Sequence, residues 1–249
     1  MISTVPLLGL AFADLRTDEA AAWIAARPEA APFGYVVTPN ADHLVRLSRD
    51  PSLRPLYENA WLRLLDSRVV GRAARLLGLD APHVAPGSDV TAALLSRHLR
   101  PGERVTIVGL RPEHLPALVD RCGIARPAHW DPPSGFDRDK RAMRQAVDFV
   151  LANPARLVFL AVGSPRQELL AAAIAATGQA VGTALCVGAS LAFLAGTQPR
   201  APAWMRRAGL EWSFRLACDP TRLAQRYLVD SPEVFRLLWR AGTSTPSEP

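Results

Sequence analysis

Asp66 stands at the end of the apolar run Trp61–Leu65, with a helical pattern opening near Arg68 just beyond it. A carboxylate in that setting has two uses. It can cap the following helix by accepting from N–H groups left over in the first turn, or it can draw a proton from a bound hydroxyl at a strand's carboxyl end. From spacing alone the cap is the simpler reading. Other polar groups stand in the same relation to apolar runs. Thr38-Pro39-Asn40 follows Tyr35–Val37, Gly109 follows Val105–Val108, Gly163-Ser164-Pro165-Arg166-Gln167-Glu168 follows Leu157–Val162, and Gly188 follows Ala180–Val187. Such loops leave backbone N–H groups and helix N-termini open to a phosphate, although ordinary turns use the same residues.

These groups converge only if the runs are parallel strands. Short apolar runs alternate with helical patterns, the mark of an α/β fold: a mostly parallel sheet with helices on both faces. Asp50-Pro51 predicts a helix start, Ser88 predicts a cap for a helix through Leu99, and Pro165 opens the helix after Leu157–Val162. In an open α/β sheet ligands gather beyond the carboxyl ends of the strands, where all the residues above are expected. The first strand leads into TPNADH rather than a glycine-rich G-x-G-x-x-G turn, which argues against a dinucleotide-dependent dehydrogenase.

Size and composition fit one such domain with an appendage. The 249 residues are 49% hydrophobic and 21% charged, ordinary for a folded chain. The formal net charge is +6, and the segment from Gly196 to Arg240 holds eight arginines against four acids. That excess suits phosphates of a nucleotide, a nucleic acid or an anionic lipid surface. Cys122, Cys186 and Cys218 are widely spaced, which predicts neither a disulfide framework nor a zinc site and fits a reducing cytosol. No basic leader precedes the early Asp14 and Arg16, so no signal peptide is expected. Leu169–Pro199 carries no charge, but Gly178 splits it into a helical part and a strand-like part, which predicts a buried pair rather than a membrane span. From Gly196 the pattern turns to Pro-interrupted helices rich in Arg and Trp. The expected division is therefore a core over 1–195, an appendage over 196–249, and a disordered tail at 243–249.

Several segments resemble the WecG/TagA/CpsF glycosyltransferase family: TPNADHLVRLSRD, LLDSRVVGRAARLLG, PGSD, GSPRQE and GTQPRAPAWMRRAGLEWSFRLACDPTRLAQRYL, in that family's order, between about residues 34 and 228. The resemblance implies a Rossmann-like core and inverting transfer from a UDP-sugar to an undecaprenyl-diphosphate-linked acceptor sugar. It also implies no catalytic metal and no cofactor, and a role in surface polysaccharide assembly at the inner face of the cell membrane. Asp66 matches the family's catalytic aspartate and becomes the expected base. Thr38 and Asn40 match its T-x-N, Gln167 and Glu168 its P-K/R-Q-E, and Arg215, Arg222 and Arg226 its appendage arginines, expected on the leaving diphosphate. Arg206 and Arg207 are expected on a solvated basic face. Trp204, Met205, Trp212 and Phe214 are expected to bury in lipid or against the core.

Asp137-Arg138-Asp139 has the D-x-D form of metal-dependent glycosyltransferases, but it opens a helix, where acids are expected from the helix dipole. Ser67, His83 and Ala192 depart from residues common in the family. The alternative reading is a non-enzymatic polyanion or nucleic-acid binder built on the basic end. No nucleic-acid module is recognisable there, so none is expected as a partner. A homo-oligomer is compatible with the sequence.

Overall fold

The computed structural model describes residues 2–225 and 231–243. A six-stranded sheet forms the centre, with spatial order β4 (Leu62–Arg63), β3 (Gly34–Val37), β8 (Thr183–Cys186), β7 (Leu157–Ala161), β5 (Arg104–Gly109) and β6 (Arg126–Trp130). Every pairing in it is parallel. The fold is α/β, as the alternating pattern predicted, and Rossmann-like, as the family resemblance implied.

The strands read as continuous apolar runs because both faces are buried. Side chains alternate between two layers. Tyr35, Val37, Val158, Leu160 and Cys186 pack with α2 (Ala41–Arg49), α3 (Arg54–Glu58), α4 (Arg68–Leu76), α7 (Lys140–Ala152) and α8 (Arg166–Ala176). Val36, Ile107, Leu157, Phe159 and Leu185 pack on the other face with α1 (Thr17–Ala25), α5 (Gly87–Ala93), α6 (Leu115–Cys122) and α9 (Ser190–Leu194). Full burial of each such side chain contributes about 1.5–3 kcal/mol.

Three strands escaped the sequence pattern. β1 (Thr4–Leu7) and β2 (Leu10–Ala13) form an antiparallel hairpin whose two-residue turn puts Leu8 at φ 49° and Gly9 at φ 76°. Both values belong to the turn type that matches strand twist, yet Leu8 is an unusual residue for it. β6 is an edge strand that pairs only with β5, so it tolerates Pro127 and a largely polar sequence.

The charge-free Leu169–Pro199 stretch resolves into most of α8, then β8 and α9. Among the described residues no helix is long and apolar enough to cross a membrane. Beyond it run α10 (Ala203–Ala208), α11 (Glu211–Cys218), α12 (Pro220–Ala224) and α13 (Glu233–Thr243). α13 returns to the core, placing Val234 and Leu238 in the layer with α2 and α4. Thr243 closes α13 rather than starting a tail, and residues 244–249 lie outside the described residues.

Candidate active site

The carboxyl ends of the strands and the C-terminal helices enclose a cleft of about 1170 Å³. Thr38, Asn40, Asp66, Gly163, Gln167 and Arg215 all line it. Strand polarity explains this meeting: six parallel strands release their loops on one side of the sheet, where Glu211, Trp212 and Arg215 of α11 complete the lining.

Asp66 follows β4, and the neighbouring Leu65 bridges to Val84 in parallel register. It does not cap the next helix. Ser67 takes that role, its hydroxyl accepting from the Val70 N–H at 3.2 Å. Asp66 is thereby left facing the cleft, where its carboxylate accepts from the Gly87 N–H at 3.2 Å. Burial pushes its pKa up to about 7; the Gly87 N–H and the Arg215 charge pull it down, while Glu211 and Asp89 push it up further. A carboxyl tuned to that value exchanges protons at neutral pH, as a general base must.

The T-x-N loop sits against the same helix start. A Cβ on Gly87 would come within 2.6 Å of Thr38 Oγ1, so only glycine lets α5 approach this closely. Asn40 caps α2, its Oδ1 accepting from the Asp42 and His43 N–H groups at 3.1 and 3.4 Å. The structure thus gives Asn40 a helix-capping use beside its place in the cleft wall. Gln167 is a strut between two loops. Its Oε1 accepts from the Gly188 N–H at 2.9 Å and its Nε2 donates to Glu168 Oε1 at 3.0 Å.

Two expected residues do not reach the cleft wall. Glu168 lies behind Gln167, 1% exposed, with Oε2 unpartnered among the described residues; burial raises its pKa. Gly109 adopts φ +88° with the Ala161 carbonyl 2.8 Å from where a Cβ would sit, and its own carbonyl accepts from His129 Nε2 at 3.1 Å. It shapes the β5 loop, while its neighbours Leu110 and Arg111 line the cleft.

Arg215 pairs with Glu211 at 3.3 Å and stacks 4.9 Å from the Phe193 ring centroid, while its buried Nε has no acceptor among the described residues. Arg222 lies on α12, whose Leu223 lines the cleft; the Arg222 side chain and the whole of Arg226 lie outside what the structure describes.

A family model for the glycosyl transferase WecG/TagA/CpsF family matches residues 5–248, nearly the whole chain. The chain belongs to that family. It is therefore a glycosyltransferase, and the cleft around Asp66 is its candidate active site.

The family resemblance pointed to PGSD, yet Asp89 within it was not singled out. Three arginines converge on it: Arg68 of α4, Arg200 ahead of α10, and Arg206 of α10. Arg206 is therefore in the cleft wall and not on a solvated basic face, because Asp89 supplies a counter-charge that the local sequence does not reveal. Arg207 is exposed as expected. Ser88 is likewise not a cap. The helix starts two residues earlier, at Gly87 after Pro86, and the Ser88 hydroxyl accepts from Arg200 at 2.6 Å. In the D-x-D segment, Asp139 caps α7 by accepting from the Arg141 and Ala142 N–H groups at 2.8 and 3.4 Å. Among the described residues no group of three or more His, Cys, Asp or Glu side chains is placed to hold a metal ion. Of the departures from the family, Ala192 lines the cleft, whereas the His83 backbone N–H and Nδ1 both meet Asp14 Oδ1 at 2.7 Å away from it.

Proposed function

We propose that this glycosyltransferase moves a sugar from a UDP-sugar to an acceptor sugar carried on a polyprenyl diphosphate, with inversion and without a catalytic metal. The observation that carries this reading is the meeting of Asp66 and Arg215 in one cleft, close enough for the guanidinium charge to act on the carboxyl. Asp66 takes the proton from the acceptor hydroxyl as that oxygen attacks the anomeric carbon. The bond to the donor diphosphate breaks on the opposite face, so a single displacement inverts the centre. Arg215, with Arg222 and Arg226 as further members, receives the negative charge on the departing diphosphate, a task suited to guanidinium forks. Thr38 and the Asn40 amide, both in the cleft wall, orient the sugars.

Residues from 196 onward act as an appendage that completes the site at the inner face of the membrane. Trp204 is 63% exposed and Trp212 38%, beside the arginines of α10 and α11, a composition suited to an anionic bilayer surface. The products serve surface polysaccharide assembly.

The test offers a panel of UDP-sugars with a short-chain lipid diphosphate acceptor and follows UDP release with chelator present. Turnover should rise with pH and level off above about 7, as Asp66 loses its proton. Asp66→Asn should lower the rate about 10²- to 10⁴-fold, the usual contribution of a positioned base. Wild-type turnover in Asp66→Asn would remove the base, and loss of all turnover on chelation would remove the metal-free mechanism.

A further inference from the structure

Asp89 holds three guanidinium groups at once. Arg200 approaches its carboxylate to 2.6 Å, Arg206 to 3.0 Å and Arg68 to 3.6 Å. One carboxylate cannot balance three cations, so the cluster keeps an excess of positive charge in a partly desolvated wall, where unneutralised charge is costly. Its donors are also unfinished. The Nε–H groups of Arg200 and Arg206 are buried and have no acceptor among the described residues. Arg68 and Arg206 line the open cleft, and Arg200 joins them through Asp89; fork-shaped donors without acceptors in such a cluster fit an anion with several oxygens.

Transfer between two diphosphate-bearing substrates requires two places for diphosphate, and Arg215 accounts for one. The helix that supplies Arg206 also carries Trp204, 63% exposed, an apolar side chain free to meet a lipid. We propose that Arg68, Arg200 and Arg206 form a second diphosphate subsite, which takes the polyprenyl diphosphate of the acceptor. This inference rests on the function proposed above. The binding of the two diphosphates is simultaneous, because their arginines come from different helices: α11 for the donor, and α4 and α10 for the acceptor.

Two titrations test this, with UDP and farnesyl diphosphate as probes and inorganic pyrophosphate as the head group without a chain. In the wild type, saturating farnesyl diphosphate should leave UDP binding within about twofold; mutual displacement would overturn the proposal without any mutation. Arg206→Ala and Arg68→Ala should each weaken farnesyl diphosphate about tenfold or more and spare UDP, whereas Arg215→Ala should do the reverse. Equal loss of both probes in Arg206→Ala assigns the cluster to the donor and sinks the idea, as does unchanged farnesyl diphosphate binding. Melting curves separate binding loss from unfolding, and inorganic pyrophosphate should bind the wild type more tightly than Arg68→Ala. A wild type that ignores UDP but binds farnesyl diphosphate through Arg206 would overturn the donor reading and leave this subsite standing.

Discussion

Arginine occurs at both ends of the central sheet, in opposite conditions. At the amino end of β7, Arg156 is 1% exposed and fully engaged: Nε donates to Glu103 Oε1 at 2.6 Å, Nη2 to Glu103 Oε2 at 2.8 Å and to the His98 carbonyl at 2.9 Å, and Nη1 to the Ala25 carbonyl at 3.0 Å. At the carboxyl end, Arg200, Arg206 and Arg215 each keep a buried Nε without an acceptor among the described residues. The first arginine is completed by folding. The others form ion pairs but retain unused donors, Arg206 and Arg215 in the cleft wall and Arg200 on the shared Asp89, at a cost that a substrate anion can relieve. Within one α/β fold, the state of the guanidinium donors separates a structural edge from a chemical one.

The largest expected effect tests the structural edge. Arg156→Met removes one member of a buried pair and leaves Glu103 short of its counter-charge, so stability should fall by about 3–5 kcal/mol in denaturant unfolding. The surviving folded enzyme should keep its turnover. A loss below about 1 kcal/mol would mean that the edge is not held by this pair. Arg215→Ala probes the other end and should invert the result: turnover lower by about ten- to a hundredfold, matching about 1.5–3 kcal/mol for a charge-assisted hydrogen bond, with little change in unfolding. A stability loss as large as that of Arg156→Met would erase the contrast.

The sequence made the two ends unequally legible. Tyr35–Val37, Val105–Val108 and Leu157–Val162 could be read as strands because a doubly covered parallel sheet demands unbroken apolar runs. The hairpin of β1 and β2 was hidden because VPLLGLAFA is apolar throughout and its turn begins at Leu8, a residue that rarely takes positive φ. β6 was hidden because RPAHW is an edge strand with one partner. In the cleft, Asp66 was legible through the run before it and through its family match, but the choice between base and cap turned on Ser67, whose hydroxyl takes the cap. The Asp89 cluster was not legible. Its arginines lie at 68, 200 and 206, and only the docking of α10 against α4 brings them to one carboxylate. That docking is itself a tertiary event: Arg68 and Arg72 donate to the Arg206, Arg207 and Ala208 carbonyls at the end of α10.

The smallest effect concerns what the chemical edge costs the fold. Burial lifts the Asp66 pKa from 3.8 to about 7, so the folded protein prefers the neutral acid while the unfolded chain ionises near 4. Stability should therefore fall as pH rises from about 4 to about 7, because the unfolded state releases a proton that the folded state retains; above 7 the deficit is constant. Asp66→Asn keeps an oxygen for the Gly87 N–H and carries no charge. It should be indistinguishable from wild type in unfolding at pH 4 and more stable by about 1–2 kcal/mol at pH 8, an amount trimmed by the contact of Asp66 with cleft water. The same substitution thus slows transfer and firms the fold. An Asn variant that is less stable than wild type at pH 8 would place Asp66 with Arg156, among the groups that folding completes.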